Sequence, residues 1–242
     1  MNERGRGRRM STAAFVVPEP SSAPSPRGPN MYVMDVKPAI TQRPIQIRCY
    51  NGLAIEPWLG HLAALRIAVF RDWPYLYDGD EDYEAQYLKT YLRSPRSVAV
   101  LAFDGEMVVG ASTGLPLADE SEEFTEPFGQ TSIPPTEVFY CGESVLLPAY
   151  RGHGIGHRFF DEREAHARSY GDYAWTAFCA VDREPSHPRR PAFHRGNEPF
   201  WQKRGYRARP ELRAHLPWRE IGRDGETDHT LTFWLRPLER TR

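Results

Sequence analysis

The stretch Val145-Leu-Leu-Pro-Ala-Tyr-Arg-Gly-His-Gly-Ile-Gly156 decides how the rest of the chain reads. An apolar, strand-like run ends in a turn carrying Arg151. Glycines follow at alternate positions, 152, 154 and 156, and a charged amphipathic helical pattern opens at once. Such a junction turns successive backbone N–H groups outward with no side chains in the way. It also sets the positive end of a helix dipole at the same spot, which suits a phosphate or pyrophosphate.

Three phosphate-binding patterns compete for this loop. A Walker A loop needs Gly-Lys followed by Ser or Thr, and here Gly156 is followed by His157 and Arg158. A dinucleotide fingerprint needs a third glycine three residues after Gly154, where His157 stands, and it normally sits on the first strand of its fold. The third pattern is Arg/Gln-x-x-Gly-x-Gly/Ala, and Arg151-Gly-His-Gly154-Ile-Gly156 fits it in full. In this loop and its lead-in, Leu146-Leu147-Pro148-x-Tyr150, the chain resembles the GNAT superfamily of acyl-CoA N-acyltransferases. Phe200-Trp-Gln-Lys-Arg-Gly205-Tyr206 is similar to the aromatic-rich helix end and Gly-aromatic pair that close the core of that family. The likeness runs over roughly residues 45 to 237.

Hydrophobic patterning gives a mixed order of elements. Ile45–Tyr50 reads as a strand. Glu56–Arg71 has apolar residues at helical spacing and stops before Pro74. Asp80 or Asp82 caps a second helix running to about Leu92. Val98–Phe103 and Met107–Ser112 form a hairpin about Asp104-Gly105. Residues 117–135 read as a loop, Glu137–Leu147 as one long strand, 153–170 as a helix and Tyr173–Val181 as a strand. A short helix ends near Lys203, and strands near 211–220 and 229–236 finish the sheet. Arg163 falls on the apolar side of helix 153–170 with no evident reason. The resemblance implies a single α/β (α+β) domain over 45–242, with a mixed, mostly antiparallel central sheet flanked by helices. Its fourth and fifth strands, 137–147 and 173–181, would run parallel about the crossover helix 153–170 and splay into a V.

The chain has 242 residues and a formal net charge of −1. Its isoelectric point is near 6.7, so neither a nucleic acid nor a membrane partner is implied. Residues 1–44 are rich in Arg, Pro and Ser and read as a disordered tail. Cys49, Cys141 and Cys179 show no CxxC spacing. They suggest buried reduced thiols in a cytoplasmic protein rather than a disulfide framework or a metal site. No apolar run reaches the ~20 residues that span a bilayer.

The resemblance implies acetyl-CoA or CoA as cofactor, with the pyrophosphate on the N–H groups of Arg151, Gly152, His153, Gly154, Ile155, Gly156 and His157. The pantetheine arm would run along Val145, Leu146 and Leu147, with free backbone groups expected on Leu146 and Leu147. Acyl transfer to an amine needs a base, and the base candidate is Glu143, in the strand ahead of those residues. Where many family members carry a Tyr proton donor, this chain has Trp201, whose indole N–H cannot act as an acid. Trp201 is then a cofactor-packing candidate, and Tyr206, His187 and His194 are the alternative donors. The connection containing Tyr75, Tyr77 and Asp78 is the candidate acceptor pocket, its aromatics and carboxylate suited to a cationic amine. The implied acceptor is a small-molecule or protein amine, and a homodimer is compatible with the sequence. Two readings stand: an N-acetyltransferase, or a non-catalytic acyl-CoA-binding module that has lost its acid. A nucleotide-binding enzyme using the same loop is a third.

Overall fold

The structure, a computed structural model, describes residues 44–239; the expected N-terminal tail lies, except for its last residue, outside the described residues. An eight-stranded sheet carries helices on both faces. Its strands are β1 (Gln46–Asn51), β2 (Val98–Asp104), β3 (Met107–Pro116), β4 (Val138–Tyr140), β5 (Ser144–Leu146), β6 (Trp175–Val181), β7 (Arg207–Arg219) and β8 (Glu226–Pro237). Their order is β1-β2-β3-β4-β6-β8-β7, with β5 beside β3. All pairings are antiparallel except β4 with β6, whose crossover is the helix α4 (Ile155–Tyr170).

The helices α1 (Leu59–Phe70) and α2 (Glu81–Arg93) cover one face. Leu62, Leu65 and Val69 of α1 meet Tyr87, Leu88 and Tyr91 of α2 over Leu101, Leu115 and Phe233 of the sheet. α4 and the short helix α5 (Glu198–Lys203) cover the other face, where Phe159, Phe160 and Trp201 pack on Phe139, Phe178 and Trp234. Each large side chain so buried contributes about 1.5–3 kcal/mol. Because both faces are covered, the central strands β2 and β3 are buried along nearly their whole length rather than on alternate residues. Asp80 caps α2 by accepting from the Tyr83 N–H, as its position implies.

Three expectations are corrected. Residues 117–135 are not an open loop: short helical turns at Leu117–Asp119, Glu122–Thr125 and Glu126–Gln130 bury Phe124 and Phe128 against Phe233. A polar, proline-bearing composition hid these two anchors. The 52–70 segment is a continuous helical stretch, long and apolar enough by length and composition to cross a bilayer. Here it is a core element, with Ile55, Leu62 and Phe70 buried against the sheet.

The third correction bears on function. Glu137–Leu147 is not one strand. Between the pairs Leu115↔Tyr140 and Ser112↔Ser144, β3 contributes residues 113 and 114, while the opposing chain contributes 141, 142 and 143. This is a β-bulge, which bends the strand and re-aims its side chains. Gly142 sits at its apex, where a Cβ would run into the Tyr91 hydroxyl. β4 stays paired with β6 as far as Cys141, whose N–H donates to Ala177 O at 2.7 Å. Beyond it β5 pairs with β3 alone.

Candidate functional site

The glycine loop folds as its composition requires. Gly152 and Gly154 have φ of 81° and 74°, the left-handed region that only glycine enters without strain. Gly154 is the N-cap of α4 and supplies no side-chain cap, and the first turn holds no acidic residue. The first intrahelical bond at this end runs from Arg158 N–H to Gly154 O. The N–H groups of Ile155, Gly156 and His157 therefore have no helical acceptor, and no carboxylate offsets the dipole. Arg151 turns back, its Nε donating to Leu146 O at 3.3 Å.

Register defines which groups of β5 face away from β3. Leu147 N–H donates to Val109 O and Thr113 N–H to Glu143 O, so residues 143, 145 and 147 bond β3. By the alternation of an antiparallel ladder, the backbones of Ser144 and Leu146 point the other way. This corrects the expected pair: Leu146 faces away from β3, its carbonyl accepting from Arg151 Nε, whereas Leu147 is bonded to Val109, and its carbonyl accepts from Tyr150 N–H. The side chain of Val145 is buried among those of the α1–α2 face.

Glu143 leaves the bulge on the α1–α2 face and is fully buried. Arg66 of α1 donates from Nη1 to Glu143 Oε2 at 2.7 Å, and its Nε is paired with Glu84 of α2. Two carboxylates thus share one guanidinium. Burial pushes the Glu143 carboxyl pKa up; Arg66 and the Thr113 hydroxyl draw it back, and Glu84 pushes it up again, leaving it above the ordinary range. Arg66 reaches only Oε2 of Glu143; near the carboxyl, the Thr113 hydroxyl is also bonded to Tyr91 at 2.7 Å. Neither Arg66 nor Glu84 was a sequence candidate. Arg66 interrupts the buried face of an apolar helix, and that was the available signal.

Tyr206 does not suit the donor role. It is fully buried between α4 and the sheet against Phe160 and Phe178. Its hydroxyl bonds Thr176 and Glu164, and burial, with Cys141 and Glu164 adding to it, pushes its phenol well above the ordinary range. Glu164 also binds Arg168, Arg204 and Arg236, so this cluster ties α4 to α5 and β8. Trp201 packs on Phe178 and Trp234, 4 % exposed, with its Nε1 unbonded. It lines a cleft of about 430 Å³ together with Trp73, Arg183, His194, Asn197 and Trp234. His187 and His194 flank the Trp73 ring, and burial lowers the pKa of His194.

The expected acceptor residues are corrected too. Tyr75 and Tyr77 are buried, Tyr75 between Phe70 and Trp218. Asp78 pairs with Arg71 and Arg219, and Tyr77 bridges to Glu220. The Tyr75 ring, the Tyr77 backbone and the Asp78 carboxylate thus fasten the α1–α2 connection to β7 and the residue after it. Cys141 and Cys179 are buried thiols, but Cys49 is exposed and donates to Glu162, contrary to the expectation of three buried thiols.

A sequence model described as the acetyltransferase (GNAT) family matches residues 63–195, more than half of the chain. The chain belongs to that family, whose class is acyl-CoA-dependent acetyltransfer. No curated protein matches it. Among solved structures, Arabidopsis thaliana NAA60 in complex with a bisubstrate analogue is 13% identical, with a TM-score of 0.52, over 82% of this chain and 100% of that one. An N-acetyltransferase from Staphylococcus aureus Mu50 is 14% identical, with a TM-score of 0.50, over 81% and 100%. A ribosomal-protein-alanine N-acetyltransferase from Brucella melitensis is 15% identical, with a TM-score of 0.50, over 80% and 99%. At such identities these three share the fold.

Proposed function

We propose that this protein is a cytoplasmic N-acetyltransferase that moves an acetyl group from acetyl-CoA to a primary amine by direct attack in a ternary complex. The observation that carries the proposal is the pairing of an uncapped, acid-free N-terminus on α4 with the open backbone edge of β5 a few residues before it. The pyrophosphate would rest on the N–H groups of residues 152–157. The pantetheine amides would bond Ser144 and Leu146 as an added strand does. The thioester then lies by the bulge, close to Glu143. Holding amine and thioester together supplies much of the rate. Glu143, its pKa raised by burial and its Oε1 free of Arg66, takes the proton that the attacking nitrogen loses, directly or through one water. Trp201 packs against the cofactor arm and gives no proton.

The non-catalytic reading also has an observation in its favour: Glu143 is already ion-paired to Arg66. Glu143→Gln separates the two. We expect acetyl-CoA to bind the variant as tightly as the parent while kcat on an accepted amine falls about 100-fold or more. An unchanged kcat would remove Glu143 from the mechanism. An amine panel that finds no turnover in the parent protein, with acetyl-CoA bound, would support the non-catalytic module.

A further inference from the structure

The other face of the bulge holds a second charged group, in a layer built mainly from apolar and aromatic side chains. Arg163 of α4 is fully buried, and its Nη1 donates to Glu143 O at 3.0 Å and to Thr113 O at 3.3 Å. Its Nε and Nη2 have no hydrogen-bond partner, and among the described residues it forms no ion pair. Beside it, the buried hydroxyls of Ser112 and Ser144 bond each other at 2.9 Å, and Ser112 also donates to Glu143 O. Ser144 is the first residue of the open β5 edge. The guanidinium lies over the Phe160 ring at 4.7 Å, and without a counter-charge it remains costly to bury. Closing the bulge uses only one of its nitrogens, so the bulge alone does not account for an arginine here.

Resting on the cofactor reading above, we propose that Arg163 forms the electrostatic seat for the negative charge that develops on the thioester during transfer. As the amine nitrogen bonds to the carbonyl carbon, the carbon–sulfur bond breaks and its electron pair stays on sulfur. The thiolate is held by the free N–H groups of Arg163. The nitrogen's proton goes to Glu143 on the opposite face of the same bulge. No acid is then required at position 201, which explains how the chain tolerates Trp where family members carry Tyr. The free N–H groups are in place before the reaction, the condition under which such donors are most effective.

The test compares CoA with acetyl-CoA on the full-length protein by calorimetry from about pH 6.5 to pH 9, while following thiolate absorbance in the ultraviolet. A free alkyl thiol ionises near pH 8.5 or above. If bound CoA meets Arg163, its thiol ionises at lower pH, and its affinity rises with pH. The expected result is a gain of about tenfold over acetyl-CoA across the range, equal to about one unit of lowered thiol pKa. Arg163→Lys should keep part of that gain. Arg163→Met should abolish it while still binding acetyl-CoA. Parallel pH profiles for the two ligands in the parent protein would overturn the assignment of Arg163 alone, even if the Met variant fails to fold. Binding of neither ligand would overturn the cofactor reading with it.

Discussion

At the scale of single residues, the bulge makes Glu143 and Arg163 neighbours through one backbone carbonyl while pointing them to opposite faces of the sheet. Arg66 is the keystone on the first face, because removing it leaves Glu84 and Glu143 buried without a cation. Breaking a buried pair from one side costs about 3–5 kcal/mol, so Arg66→Met should lower stability by that order in a urea titration. His229 provides a pH test away from the site. It stacks on Trp218 at 3.6 Å between ring centroids, and burial, with Arg183 adding to it, lowers its pKa from 6.5 to about 4. The unfolded chain therefore binds a proton that the folded chain refuses between those values. Stability is fully present above about pH 6.5 and declines as the pH falls toward 4. Allowing for partial solvent screening, the expected loss is about 1–2 kcal/mol. His229→Gln should flatten that part of the melting-temperature profile; an unaltered slope would assign it to other groups.

At the scale of elements, the glycine loop was readable because its conformation is written in glycines and in the absence of a cap. The helix positions of α1, α2 and α4 were readable from periodicity, and the hairpin of β2 and β3 from Asp104-Gly105. The bulge was not, since a run of apolar residues looks the same whether or not one is looped out of register. The deep placement of Tyr75, Tyr77 and Tyr206 was also hidden, because a tyrosine in sequence does not say whether its hydroxyl meets solvent or Glu164. Arg163 did break the pattern of its helix, and that break marked a real feature. Two helix-terminal glycines offer a controlled test. Gly154 and Gly171 both lie in the left-handed region, at φ of 74° and 73°, with open space where a Cβ would go. Alanine at either should cost about 1–2 kcal/mol of stability. Only Gly154→Ala, which disturbs the N–H groups at the start of α4, should weaken CoA binding. An equal loss of affinity in both variants would place the cofactor elsewhere.

For the molecule as a whole, the sheet brings the loop, the open edge of β5 and the bulge onto one continuous stretch of chain, residues 141–157, and packs a helical layer against each side of it. The remaining strands hold that stretch in register. The central claim, that this stretch is a CoA site, is tested most directly by thermal unfolding of the purified protein with CoA, acetyl-CoA, ATP and NAD in parallel. A ligand at about 100 times its dissociation constant adds about 2.7 kcal/mol to the folded state, an easily measured rise in melting temperature. A shift with CoA and acetyl-CoA, and none with ATP or NAD, is the result predicted here. No shift with either CoA species, or a larger one with ATP or NAD, would contradict it.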